Sequence, residues 1–274
     1  MLTLEQLQAG LVIPIDKPRC WTSFQAVNKV KSTLRRLYGI KNIKIGHAGT
    51  LDPLATGLLL VCIGRATKQI PTLQDGDKVY TATLVLGATT PCYDLERPID
   101  AYYPYEHITR TMLELAIEGF VGTIEQVPPI FSAVKINGQR AYQYARADNP
   151  DASPTPKPVH IHSIAVTDFR LGTEPPADCE LQTPNSELPT SHLYNDPQGT
   201  VPGHLPQADL RIHCGKGTYI RSLARDLGLA LGSGAFLSAL RREQVGSYTV
   251  DRALQLEQVE SYLAGLAPLP SDEA

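Results

Sequence analysis

Residues 46–57 read Gly-His-Ala-Gly-Thr-Leu-Asp-Pro-Leu-Ala-Thr-Gly and run straight into Leu-Leu-Leu-Val-Cys-Ile at 58–63. Six apolar residues in a row, closed by Gly64, suit a strand buried on both faces and are far too short to cross a bilayer. The three glycines and Pro53 ahead of them read as a tight, non-repetitive loop at the mouth of a core strand. His47, Thr50 and Asp52 lie in that loop, a usual place for functional side chains. An Asp-Pro in a glycine-rich loop is nevertheless more often a turn than a catalyst. The residues by themselves leave both readings open.

Around this loop the periodicities predict a mixture of helices and strands. Thr22 and Gln25 make a capping box, and Phe24, Val27, Val30 and Leu34 recur at helical spacing until Gly39 stops the helix. Lys78 to Leu86 alternates as a strand, Arg110 to Phe120 reads as a helix, and Ala208 to Cys214 alternates again. Gly215-Lys-Gly217 is then a turn, with Thr218 capping a helix whose stripe is Ile220, Leu223, Leu227 and Leu231. Without a regular βαβ repeat, the expected class is α+β: a central mixed or mainly antiparallel sheet flanked by helices and loops. Two stretches read as loose. Residues 148–158 hold four prolines, and 172–207 hold seven prolines and five acids with no Lys or Arg, the mark of a flexible acidic insertion.

Composition narrows the class of function. Five scattered cysteines without a CxxC pair suit reduced thiols in a cytoplasmic protein, and no signal peptide or membrane span is read. His160 and His162 are taken as polar decoration of a strand, and no metal is expected. The net charge of −3 conceals an asymmetry: residues 1–70 carry ten basic residues against three acids, a net of +7, so the remainder carries −10. A basic region on a mildly acidic protein is the footprint of a polyanion, or simply a solvated helix face. No dinucleotide fingerprint, P-loop or zincin motif is present.

The run GHAGTLDPLATGLLLVCIGRATK closely resembles the catalytic motif of the TruB family of pseudouridine synthases. Further blocks fall in the same order: residues 15–18 (IDKP), 78–80 (KVY), 130–135 (IFSAVK), 141–146 (AYQYAR), 215–221 (GKGTYIR) and 240–242 (LRR). The resemblance spans roughly residues 11–250 and implies a pseudouridine synthase catalytic fold over 1–250, with a mobile thumb at about 128–157. It implies a tRNA enzyme acting on uridine 55 of the T loop, with no cofactor and no obligatory protein partner. Asp52 would be the catalytic carboxylate, Arg221 its ion-pair partner, and Tyr80 the ring that stacks on the flipped uracil and serves as base in one scheme. Tyr219 and Leu240 would line the pocket, His47 would fill the place the uridine vacates, and Lys17 and Lys68 would contact the RNA backbone or order the loop. The pattern departs from the family at its end: residues 251–274 read as a short helical tail (Arg252 to Leu263) rather than a complete C-terminal RNA-binding domain.

Overall fold

The computed structural model describes residues 4–40, 42–132, 135–136, 139–140, 154–172 and 201–265. Most of the acidic insertion (173–200), much of the thumb and the end of the tail therefore lie outside the described residues. In chain order, helix α1 (Leu4–Ala9) leads to strand β1 (Leu11–Lys17), helix α2 (Ser23–Tyr38), strands β2 (Ile45–Ala48) and β3 (Thr56–Ile63), helix α3 (Ile70–Asp75) and strand β4 (Lys78–Leu86). The short β5 (Ala88–Thr89) and β6 (Ala101–Tyr102), helix α4 (Arg110–Glu118), β7 (Gly122–Gln126), β8 (Lys135–Ile136), β9 (Gln139–Arg140) and β10 (Lys157–Arg170) follow. The chain ends through β11 (Gln207–Cys214), helix α5 (Ile220–Ala230), β12 (Ala235–Val245), β13 (Tyr248–Thr249), β14 (Leu254–Gln255) and helix α6 (Val259–Leu263). Two compact units result, Met1–Tyr80 with Leu240–Ala274, and Thr81–Ala239.

The first unit is built around β3. It pairs antiparallel with β1 from Leu11↔Ile63 to Lys17↔Gly57 and antiparallel with β2 from Ile45↔Ile63 to Ala48↔Leu60. At its start it runs parallel to Arg241 and Arg242 of β12, while β14 adds parallel to β1. The sheet is thus mixed. Leu59, Val61 and Ile63 pack on one face with Val27, Val30 and Leu34 of α2, and Leu58 and Leu60 pack on the other with Ala48, Val245 and Ala253. Burial on both faces is why the strand is apolar at every position instead of alternating.

Helix α2 begins as its capping box requires, with Thr22 accepting from Gln25 N–H, and ends on Gly39 in the left-handed region at φ 66°. Phe24, expected on the apolar stripe, instead stands 68% exposed. It lies at the helix's first turn, ahead of the core that Val27, Val30 and Leu34 reach. The tail also differs from the single helix expected over Arg252 to Leu263. Leu254 and Gln255 pair with Ile15 and Asp16 of β1, leaving only Val259–Leu263 helical. An open sheet edge with a buried seat for Leu254 outweighed local helical preference.

In the second unit β11 and β10 pair antiparallel through Ile164↔Ile212 and Val166↔Leu210, and β10 pairs antiparallel with β7 through Val159↔Ile124. Leu210, Ile212 and Cys214 are buried while Arg211 is exposed, matching the alternation in the sequence. Helix α5 buries Ile220, Leu223 and Leu227. Its cap is Tyr219 and not Thr218, whose hydroxyl donates back to the Gly215 carbonyl at 3.1 Å. No helix among the described residues is long and apolar enough to cross a membrane.

Candidate active site

Asp52 lies in the connection between β2 and β3, in a turn closed by Ala55 N–H donating to the Asp52 carbonyl at 3.2 Å. Aspartate at the first position and proline at the second is a favoured turn sequence. The turn is tied down on three sides within the first unit. From α2, the Ser23 hydroxyl donates to the Leu51 carbonyl at 3.1 Å and accepts from Leu51 N–H at 2.9 Å. From the segment after β1, Cys20 N–H donates to the Pro53 carbonyl at 2.9 Å.

Lys17 reinforces this second tie, on the same Pro53 carbonyl as Cys20. It sits at the end of β1, fully buried, and its ammonium donates to the carbonyls of Trp21 at 2.6 Å, Pro18 at 3.0 Å and Pro53 at 3.3 Å. Burial pushes its pKa down to about 8, with the Asp52 carboxylate the largest opposing influence. These three hydrogen bonds tie the end of β1 to the Pro53 turn.

Arg242, to which sequence reasoning gave no role, makes the third. The guanidinium is 2% exposed and donates from Nε to the Leu58 carbonyl at 2.8 Å and from Nη2 to the Gly49 carbonyl at 3.0 Å. One planar fork therefore holds both ends of the Asp52 loop. Two glycines admit it. A Cβ on Gly49 would meet Nη1 at 3.3 Å, and one on Gly57 would lie 2.3 Å from the Arg242 carbonyl oxygen, with φ +86° and +98° at the two positions. The only signal in the sequence was its place in the block 240–242.

The remaining expected residues are distributed as follows. His47 is on β2, and burial, against the Gly49 backbone and with Arg242 adding, holds its pKa below the ordinary histidine value. Tyr80 ends the first unit's share of β4 and is 8% exposed. Leu240 packs half-buried against the α2 core, and Lys68 is exposed in the turn Gly64–Gln69. Tyr219 and Arg221 belong to the second unit. Gln126 grips Tyr219 from both sides, accepting from its N–H at 2.8 Å and donating to its carbonyl at 3.1 Å. Arg221 is 4% exposed and donates to the carbonyls of Cys92 at 3.0 Å and Phe131 at 2.8 Å, with Asp94 3.6 Å from Nε. On β10, His160 shares a 3.0 Å hydrogen bond with Thr123 and stacks edge-on to His162, with ring centroids 4.7 Å apart.

An aspartate on a loop clamped by buried cations, at the end of a mixed sheet, marks an α+β protein with a candidate enzyme site. A family model for the N-terminal domain of TruB family pseudouridylate synthases matches residues 35–185, and one for the tRNA pseudouridylate synthase B C-terminal domain matches 221–266. The chain belongs to the TruB family of pseudouridine synthases. It is 45% identical over 255 residues to tRNA pseudouridine synthase B of Parabacteroides distasonis, covering 93% of this chain and 94% of that protein. The corresponding protein of Flavobacterium johnsoniae is 43% identical over 263 residues, covering 96% and 100%. Among solved structures, a chain of a Cbf5-Nop10-Gar1 complex superposes with a TM-score of 0.60 at 26% identity, covering 93% of this chain but 55% of that one. The chain thus spans about half the length of that solved chain. The C-terminal match begins within α5.

Proposed function

We propose that the protein isomerises uridine to pseudouridine at position 55, in the T loop of tRNA, with Asp52 as the catalytic carboxylate. The observation that supports this is the Asp52 turn, whose backbone is held on both sides of the aspartate by Ser23, Lys17 and Arg242. The target nucleotide leaves its stack, which a loop permits more cheaply than a duplex. The bond from C1′ to N1 breaks, positive charge builds at C1′, and an ionised carboxylate there either bonds to that carbon or stands as its counter-charge. In the second case a base removes the C2′ proton to give a glycal and returns it to C2′ as C1′ bonds to C5, and Tyr80 is the residue assigned to it. The uracil turns and rejoins C1′ through C5; N1 gains a proton and C5 gives one up. Atoms and electrons balance without an external group, so the chemistry calls for no cofactor.

Arg221 is assigned to keep the carboxylate ionised, Tyr219 and Leu240 to wall the base, and His47, neutral by virtue of its burial, to fill the place the uridine leaves. The partner is the T arm of tRNA, and the compartment is the cytoplasm. The Asp52→Asn protein tests the assignment, since the amide keeps the shape and loses the anion. Tritium release from C5-labelled uridine in tRNA should vanish, with the melting temperature and RNA affinity kept. Pseudouridine formed by the pure variant would overturn the role of Asp52. A wild-type protein that binds tRNA and forms none would be a binding protein on this scaffold instead.

A further inference from the structure

Helix α2 carries a stripe that no contact among the described residues accounts for. Phe24, Asn28, Lys31 and Arg35 succeed one another at intervals of four, three and four, so at 3.6 residues per turn they share a sector roughly 60° wide. All four are exposed, Phe24 at 68%, while the helix buries Ala26, Val27, Val30, Thr33 and Leu34 on its other side. The acid brought to this helix by α6, Glu260, pairs with Arg36 at 2.6 Å, off the stripe. Neither Lys31 nor Arg35 pairs with an acid among the described residues, and no acid occurs between Asp16 and Asp52.

The stripe begins at the active site. Phe24 follows Ser23, the residue whose hydroxyl holds Leu51 beside Asp52. From there to Arg35 is eleven residues, about 16 Å of helix. A phenyl ring turned to water is costly unless something covers it, and a flat ring followed by two cations matches a nucleotide strand, with base faces to stack and phosphates to pair. We propose that the Phe24–Arg35 stripe is a docking strip for the unpaired RNA adjoining the target uridine: one base stacks on Phe24, and the strand's phosphates run along Lys31 and Arg35. Duplex RNA offers no free base face, so the strip selects looped RNA. The strip depends on the RNA-substrate assignment made above and extends it.

Steady-state kinetics and RNA affinity at several salt concentrations test it. Phe24→Ala should raise KM and the Kd for a T-arm stem-loop about tenfold, as loss of one stacked base implies, with kcat unchanged and Phe24→Trp restoring both. The double variant Lys31→Gln/Arg35→Gln should lower the slope of log K against log salt by about 1.5, at 0.7–0.9 per phosphate contact. Lys29→Gln, roughly 140° round the helix from Phe24, should change the slope less than Lys31→Gln does. An unchanged KM and Kd for Phe24→Ala, or equal slopes for Lys29→Gln and Lys31→Gln, would overturn the strip while leaving the enzyme assignment standing. Wild-type protein that neither binds nor modifies the stem-loop would defeat the RNA-substrate assignment itself.

Discussion

Arg242 donates from Nη2 to the carbonyl of Gly49 at 3.0 Å, joining residues 193 apart in sequence, while its Nε holds Leu58 on the far side of Asp52. The Asp52 loop is therefore a clamped arch, and the clamp is a strand residue remote from the motif.

A point charge cannot replace that clamp, because lysine lacks the planar fork that reaches both carbonyls. Arg242→Lys should cost about 2–3 kcal/mol of stability, as expected for losing charge-assisted hydrogen bonds in a buried site. It should lower kcat more than it raises KM, since misplacing the carboxylate harms the reaction more than RNA binding. Urea unfolding and steady-state kinetics measure the two effects. Wild-type kcat in a destabilised Arg242→Lys protein would reduce the arginine to a purely structural part.

Lys17 predicts a pH dependence with opposite signs for stability and activity. Its folded pKa is about 8, depressed chiefly by burial, against about 10.4 in an unfolded chain. Between these values the unfolded state binds more protons, so this group's contribution to stability rises with pH across that window and is lost as pH falls through 8. Activity should fall across the same range, because deprotonation removes the positive charge beside the Asp52 turn and one of three N–H donors. The expected outcome is a kcat profile that declines with an apparent pKa near 8. The melting temperature, measured relative to that of Lys17→Met, should rise over the same interval. A flat kcat from roughly pH 7 to 10 would contradict it.

Gln126 predicts a remote effect on Tyr219. It is 1% exposed, and both ends of its amide are engaged by the Tyr219 backbone at the start of α5. Gln126→Ala leaves that amide N–H unserved and should cost about 1–2 kcal/mol, the worth of a helix cap. If Tyr219 walls the base pocket, KM should rise as well. Gln126→Glu, which keeps the acceptor for Tyr219 N–H, should recover part of both. Equal KM values in all three proteins would detach Tyr219 from substrate binding.

Local chemistry was legible without coordinates wherever a few neighbouring residues decide it. The Thr22–Gln25 capping box, the Gly39 stop, the apolar strand Leu58–Ile63, the strand Lys78–Leu86 and the alternation of Ala208–Cys214 each show in a short run of neighbouring residues. The Asp52 loop was legible because its glycines and proline permit little else, and because the run around it resembles a family motif.

What holds that loop was not legible, since each tie joins residues far apart in the chain. Ser23 meets Leu51, Lys17 meets Pro53 and Arg242 meets Gly49 at separations of 28, 36 and 193 residues. A buried lysine and a buried arginine look like surface cations until strand pairing places them inside, where carbonyls replace the water they have lost. Phe24 erred the other way: it has the helical spacing of a core residue, but the core begins one turn later. The cap of α5 is Tyr219 and not Thr218: Gln126, 93 residues upstream, accepts from the Tyr219 N–H, while the Thr218 hydroxyl donates back to Gly215. Sequence determined which backbone turns and strands could form; the assembled sheet decided which charges were buried and which ring was left for solvent, because burial belongs to a residue's neighbours in space and not along the chain.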